Sequence, residues 1–281
     1  MAKNSKPEKT TMPIIIAVAN QKGGVGKTTT VQNLSAAILA HKPNMKILML
    51  DLDPQGSLTI GSGVVTDDIN MPSMYHLLAS GQEERTLQQV TLELTANLHL
   101  VPSNILLANQ EYSLIAQMAR EQKLKNVLLK AEAILKKEYD FIFIDCPPSL
   151  GILNVNGLVA ADYIIIPVVA EFYSLVGIQL VTNTINSIVV SGLNPKLQIL
   201  GLLLSRFKKQ LRLAQQAKRK IEESGYPVFK SVIRENVKVA EAPGDGQSVT
   251  DYDYSSLGAE DYTKLAVEFI KLIKDREKGK A

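Results

Sequence analysis

The chain has 281 residues, 46% of them hydrophobic and 21% charged, with a formal net charge of +3. This composition can bury a sizeable core and excludes a disordered chain. A charge excess this mild marks a nucleic-acid binder only if it is locally concentrated. The one cysteine, Cys146, excludes an internal disulfide and a paired-cysteine metal site, and fits a reducing cytoplasm.

The opening MAKNSKPEKTTMP is polar and lacks the apolar centre of a secretion signal, so residues 1–12 are expected to form a disordered tail ahead of one domain over 13–281. No apolar run approaches the roughly 20 residues that span a bilayer. A strand is expected at 14–20, a helix at 28–40 and a second strand at 46–53. A strand at 98–103 and a helical stretch at 105–137, read as two helices, come next. Then follow strands at 140–148 and 162–170, a helix at 175–190, a strand at 197–205, a helix at 212–223, a strand at 228–233 and a helix at 259–274. The strands are continuously apolar, as strands covered on both faces are. Strands alternating with helices imply an α/β, doubly wound, mostly parallel sheet with helices on both faces. Ligands in such sheets sit at the carboxyl ends of the strands.

The first strand runs into NQKGGVGKTTT (residues 20–30), and a helix follows. This is the context of a phosphate-binding loop. Gly23, Gly24, Val25 and Gly26 form a cradle whose amides can face phosphate oxygens, and the helix N-terminus adds a favourable dipole. Lys27 is expected to reach the β- and γ-phosphates and Thr28 to bind Mg²⁺. Thr29 caps the helix or bonds the α-phosphate. The loop departs from the usual pattern, because Gln21 stands where the first glycine falls and a second lysine, Lys22, stands beside it.

FIFID ends in Asp145, the shape of a strand whose last carboxylate holds Mg²⁺ through water. Pro147 and Pro148 then stop that strand. In LMLDLDPQG, one of Asp51 and Asp53 faces the phosphates or orients a water while the other caps or turns. RFKKQLRLAQQAKRK (206–220) is the most basic stretch and contains no acid. By itself it fits DNA phosphate contact and a solvated helix face equally well. His41, His76 and His99 are scattered without metal-ligand spacing. The last helix is amphipathic, with Leu265, Phe269, Leu272 and Ile273 on or near one side, which suits core packing better than a membrane surface.

KGGVGKTTT, LDLDPQGS, FIFIDCPPSLG and VKVAEAPGDGQSVTDYDYSSLGAEDY together resemble the ParA/Soj group of deviant Walker A ATPases, over nearly the whole chain. The resemblance implies a P-loop ATPase that uses ATP and Mg²⁺. It implies that Lys22 crosses the interface of an ATP-dependent homodimer to the phosphates of the partner subunit. Asp53 then handles the hydrolytic water, Asp51 lies nearer Mg²⁺, Asp145 is the Walker B carboxylate, and Pro243 packs near the adenine. It also implies nonspecific DNA binding through Lys208, Lys209, Arg212, Lys218, Arg219 and Lys238, and a ParB-like protein that stimulates hydrolysis. The setting is then a cytoplasmic, nucleoid-associated role in plasmid or chromosome partition, without stable membrane association. The chain departs from the group at Lys238, where relatives often carry Arg, and at KKQLR, which replaces an ART-like run. The same engine could position a protein cargo, or serve a membrane-associated regulator of the MinD type.

Overall fold

An apolar strand without alternation must be covered on both sides, and the sheet here is. The computed structural model describes residues 11–66, 68, 70–149, 151–171 and 174–279. Its strands are β1 (Ile14–Val18), β2 (Ile47–Asp51), β3 (Leu92–Thr95), β4 (Leu98–Val101), β5 (Phe141–Asp145), β6 (Tyr163–Val169) and β7 (Gln198–Ser205). They form one seven-stranded sheet in the order β3-β4-β2-β5-β1-β6-β7, parallel except for β3. Successive residues of one strand enter opposite cores. Ile15 and Ala17 join the cluster containing Leu153, Ile178 and Ile185, whereas Ile16 and Val18 join the one containing Leu34, Leu265 and Phe269. The helices Ile152–Ala160 and Ser174–Val190 therefore cover one face, and Lys27–His41 and Leu257–Lys278 the other.

The structure corrects three expectations. The stretch 228–233 makes only isolated bridges, Leu202 with Val228 and Phe207 with Arg234. Its ladder to β7 is interrupted: the amides of Phe229 and Ile233 donate to the Leu202 and Leu204 carbonyls at 3.0 and 2.8 Å, but those of Lys230 and Ser231 between them donate to the Glu268 carboxylate at 2.7 and 2.8 Å. The seventh strand is instead β3, an antiparallel edge strand whose residues alternate between half-buried and exposed. A search for continuous apolarity passes over such a strand. The stretch 105–137 holds three helices rather than two, namely Leu106–Ile115, Lys123–Lys130 and Glu132–Glu138. Ala119, in the left-handed region at φ +53, breaks the first from the second. Of the expected N-terminal tail, residues 1–10 lie outside the described residues, and Met12 packs on the core.

The last helix extends over Leu257–Lys278, and the Ser256 side chain caps it by accepting from the Ala259 amide at 3.1 Å. Leu265, Phe269 and Ile273 are buried in the core, and Leu272 packs on it. The apolar side of this helix is thus spent inside the protein. No helix among the described residues is long and apolar enough to cross a membrane. The Phe269 ring meets Phe141 and Phe143 at centroid distances of 5.3 and 5.6 Å. Phe269→Ala should cost about 3–5 kcal/mol, read as a lower midpoint in urea unfolding at unchanged slope.

Candidate functional site

The sheet register assembles the site. Val18 of β1 and Asp51 of β2 both lie level with Asp145 of β5, so the loop after β1 starts beside two carboxylates. Asn20 anchors that loop: its amide donates to the Pro167 carbonyl at 2.7 Å and its side-chain oxygen accepts from the Lys22 amide at 3.0 Å. Gly24 and Gly26 take φ values of +72° and +88°, a turn that a Cβ would strain. The helix Lys27–His41 begins directly afterwards.

Three carbonyls of the loop accept from side chains, two of them from beyond the loop. Ser205 Oγ donates to the Val25 carbonyl at 2.7 Å, Arg206 Nη1 to that of Gly24 at 3.2 Å, and Lys27 Nζ to that of Lys22 at 3.4 Å. The Lys27 ammonium is pushed below its usual range by burial, an effect that Asp145 opposes. A cavity of about 690 Å³ opens over the loop. Gly23, Gly24, Gly26, Lys27, Thr28, Thr29, Asp53 and Pro148 line one side, and Ser205, Arg206 and the 233–240 segment, all but Lys238, the other.

The three aspartates separate by environment. Asp145 is fully buried, and among the described residues neither of its oxygens completes a hydrogen bond. Burial, then the neighbouring Asp51, drives its carboxyl well above the usual range, and Thr28 and Lys27 offset this only in part. A buried carboxylate without partners, next to a threonine hydroxyl that lines the cavity, has the oxygen donors that a hard cation such as Mg²⁺ takes. The residues present therefore fit that metal.

Asp51 is equally buried, but its oxygens are engaged. Oδ2 accepts from the Thr59 amide at 2.9 Å and the Thr59 hydroxyl at 2.7 Å, and Oδ1 accepts from the Asp53 amide at 3.2 Å. Burial raises its carboxyl to about 6. In this structure Asp51 fixes the turn after β2, and Asp53 is the member of the pair that lines the cavity. Asp53 keeps one described side-chain contact, accepting from the Gln55 amide at 2.9 Å.

Other expected residues fall outside the cavity lining. Val25 is buried beneath the loop. Pro243 packs against Gly61, while Asn236, Val237, Val239 and Ala240 supply the wall where it was expected. The Lys22 ammonium points to the surface and pairs with Glu171, both side chains being more than half exposed. Cys146 is buried against Gly157, and burial pushes its thiol up, as for a small core residue rather than a nucleophile. Sequence reasoning missed Glu171, Ser205 and the contribution of 233–240 to the cavity. Arg206 was counted only within the basic run.

That run is less free than its composition implies. Glu235, from another segment, pairs with Lys208 at 3.0 Å and Arg206 at 3.3 Å, and Glu222, one turn further along the same helix, pairs with Lys218 at 3.6 Å. Outside the run, Lys238 pairs with Glu241 at 3.0 Å. Among the described residues, Lys209, Arg212, Arg219 and Lys220 have no ion-pair partner, and all four are exposed. Arg212 and Arg219, seven apart on the helix Arg212–Glu222, share one face.

Phosphate loop, buried strand-end carboxylate and parallel sheet define a P-loop ATPase with a second lysine in its loop. A family model described as "AAA domain" matches residues 14–199. The chain is 40% identical over 255 residues to the sporulation initiation inhibitor protein Soj of Bacillus subtilis, covering 90% of this chain and 97% of Soj. It is 39% identical over 260 residues to the chromosome partitioning protein ParA of Myxococcus xanthus, covering 92% and 88%. Among solved structures, cobyrinic acid a,c-diamide synthase from Mycobacterium smegmatis, with bound ATP analog and magnesium, matches with a TM-score of 0.77 at 30% identity, over 93% of this chain and 96% of that one. The chain belongs to the ParA/Soj family of partition ATPases, and it is an ATP hydrolase.

Asp145→Asn should cut Mg²⁺-dependent ATP hydrolysis by at least about 100-fold. Without metal or nucleotide the same substitution should raise stability at pH 7 by about 1 kcal/mol, because it removes an unpartnered buried acid. Steady-state phosphate release and denaturant unfolding check the two halves separately.

Proposed function

We propose that residues 13–281 act as one ATPase domain that cycles between a monomer and an ATP-dependent sandwich dimer. The dimer binds DNA without sequence preference, and a ParB-like partner stimulates hydrolysis to release it, so that a plasmid or chromosome is partitioned at the nucleoid. The observation that carries this reading is the position of Lys22. Its backbone belongs to the phosphate loop, yet its ammonium lies at the surface with Glu171 and outside the cavity lining. A lysine so placed does not serve the nucleotide of its own subunit, but it is available to a phosphate presented by another. An exposed ion pair contributes little, so Glu171 is easily exchanged for a phosphate oxygen.

Within one subunit the chain's own residues divide the work. The loop amides and Lys27 bind the phosphates, Thr28 and Asp145 hold Mg²⁺, and Asp53 orients the attacking water from the cavity wall. Mg²⁺ would neutralise charge on the β- and γ-phosphoryl oxygens. Asp51 keeps the turn that presents Asp53. Cleavage removes the group that the second lysine clamps, so the dimer relaxes. The unpaired cations Lys209, Arg212, Arg219 and Lys220 favour DNA phosphates as the partner of this face. Positioning of a protein cargo on DNA would use the same parts, and the identity of the stimulating partner separates the two roles. A membrane-surface role has less support, since the apolar side of the last helix is buried in the core.

Lys22→Ala should abolish ATP-dependent dimerisation while ATP still binds. A variant that elutes as a dimer with ATP in size-exclusion chromatography would refute the role of Lys22. Asp53→Ala should accumulate the ATP dimer, and normal turnover in that variant would remove Asp53 from the mechanism. For DNA, Arg212→Ala with Arg219→Ala should lower the slope of log affinity against log salt by about 2. Lys238→Ala, already paired with Glu241, should change the slope little. Fluorescence anisotropy across a salt series with ATP, ADP and no nucleotide measures both, and a flat response in the double variant would assign that helix face to solvent.

A further inference from the structure

Arg206 follows β7 directly. Its backbone lies in the left-handed region at φ +48, unfavourable for a residue with a Cβ. Such conformations persist where surrounding structure enforces them, and they cluster at ligand clamps and switch segments. The side chain lines the nucleotide cavity and reaches across its mouth. Nη1 donates to the Gly24 carbonyl at 3.2 Å, and Nη2 donates to Glu235 Oε1 at 3.3 Å. Gly24 belongs to the phosphate loop, and Glu235 belongs to the 233–240 wall opposite. The end of β7 already touches both sides, through Ser205 on the Val25 carbonyl and the Phe207–Arg234 bridge, and the one planar guanidinium joins the loop directly to the side chain of the opposite wall. Its fixed fork of donors can serve both at once, whereas a lysine would hold one. Glu235 is steadied in turn by Lys208 at 3.0 Å.

We propose that Arg206 is a positioning residue that straps the phosphate loop to the 233–240 wall and thereby sets how fast adenine nucleotide leaves. A nucleotide seated between the walls must part them to escape. The strap acts on the walls and not on the terminal phosphate, so ADP and ATP are retained alike. It operates within one subunit, independently of dimerisation and DNA binding.

The test uses the full chain and a fluorescent ADP analogue chased with unlabelled ADP in stopped flow, with Mg²⁺ present. One charge-assisted bond to the loop is lost in Arg206→Met, so release should quicken about fivefold, and ADP and a non-hydrolysable ATP analogue should weaken by the same factor. Glu235→Gln should quicken release less, and should add nothing in the Arg206→Met background. Arg206→Lys should fall between wild type and Arg206→Met. The melting temperature of each nucleotide-free variant shows whether it is folded. Unchanged ADP release in a folded Arg206→Met variant overturns the strap, as does independent multiplication of the two substitutions' effects. Weakening confined to the triphosphate also overturns it, by making Arg206 a phosphate contact. Should Arg206→Met not fold, unchanged release in Glu235→Gln overturns the proposal alone.

Discussion

A loop that offers its amides to phosphate must turn its carbonyls the other way, and each of those needs a donor. Here the carbonyls of Lys22, Gly24 and Val25 receive Lys27, Arg206 and Ser205. Two of the three donors come from the end of β7, some 180 residues away in the chain. The cradle is therefore a property of the sheet as much as of the glycine-rich segment. Register supplies the rest, since β1, β2 and β5 run parallel and bring Val18, Asp51 and Asp145 level. Chemistry at the carboxyl ends follows from that alignment.

The two buried carboxylates show how environment assigns roles to identical side chains. Asp51 has its oxygens filled by Thr59 and the Asp53 amide, and it works as scaffold. Asp145, equally deep, completes no hydrogen bond among the described residues, and the nearby Thr28 hydroxyl and Lys27 ammonium offset its burial only in part. That imbalance is what makes it the better candidate of the two for a cation.

Much of this was legible in the sequence wherever local pattern carries the information. Continuous apolar runs located the six parallel strands, and the glycine-rich loop located the phosphate site. Long-range partners were not legible. The stretch 228–233 has strand composition, but two amides in its middle, those of Lys230 and Ser231, are taken by Glu268, which periodicity does not reveal. β3 alternates as an edge strand does and carries no continuous apolar signal. The basic run looked uncompensated because Glu222 and Glu235 lie outside it. Charge density along a chain overstates the free charge of a folded surface whenever acids return from distant loops. Spacing could not distinguish Asp51 from Asp53 either, because only the fold places Thr59 on Asp51 and leaves Asp53 at the cavity wall.

The 233–240 wall is itself fastened by the last helix. Arg234 bonds Asp261 through Nε at 2.8 Å, and just upstream Glu268 holds the amides of Lys230 and Ser231. The phosphate loop occupies residues 20–30 and the helix that anchors the opposite side spans Leu257–Lys278, so the two sides of the pocket meet only through tertiary contacts. The cleft therefore reports on the integrity of the whole fold: loosening of that one helix would reach a bound nucleotide without disturbing the glycine-rich segment at all.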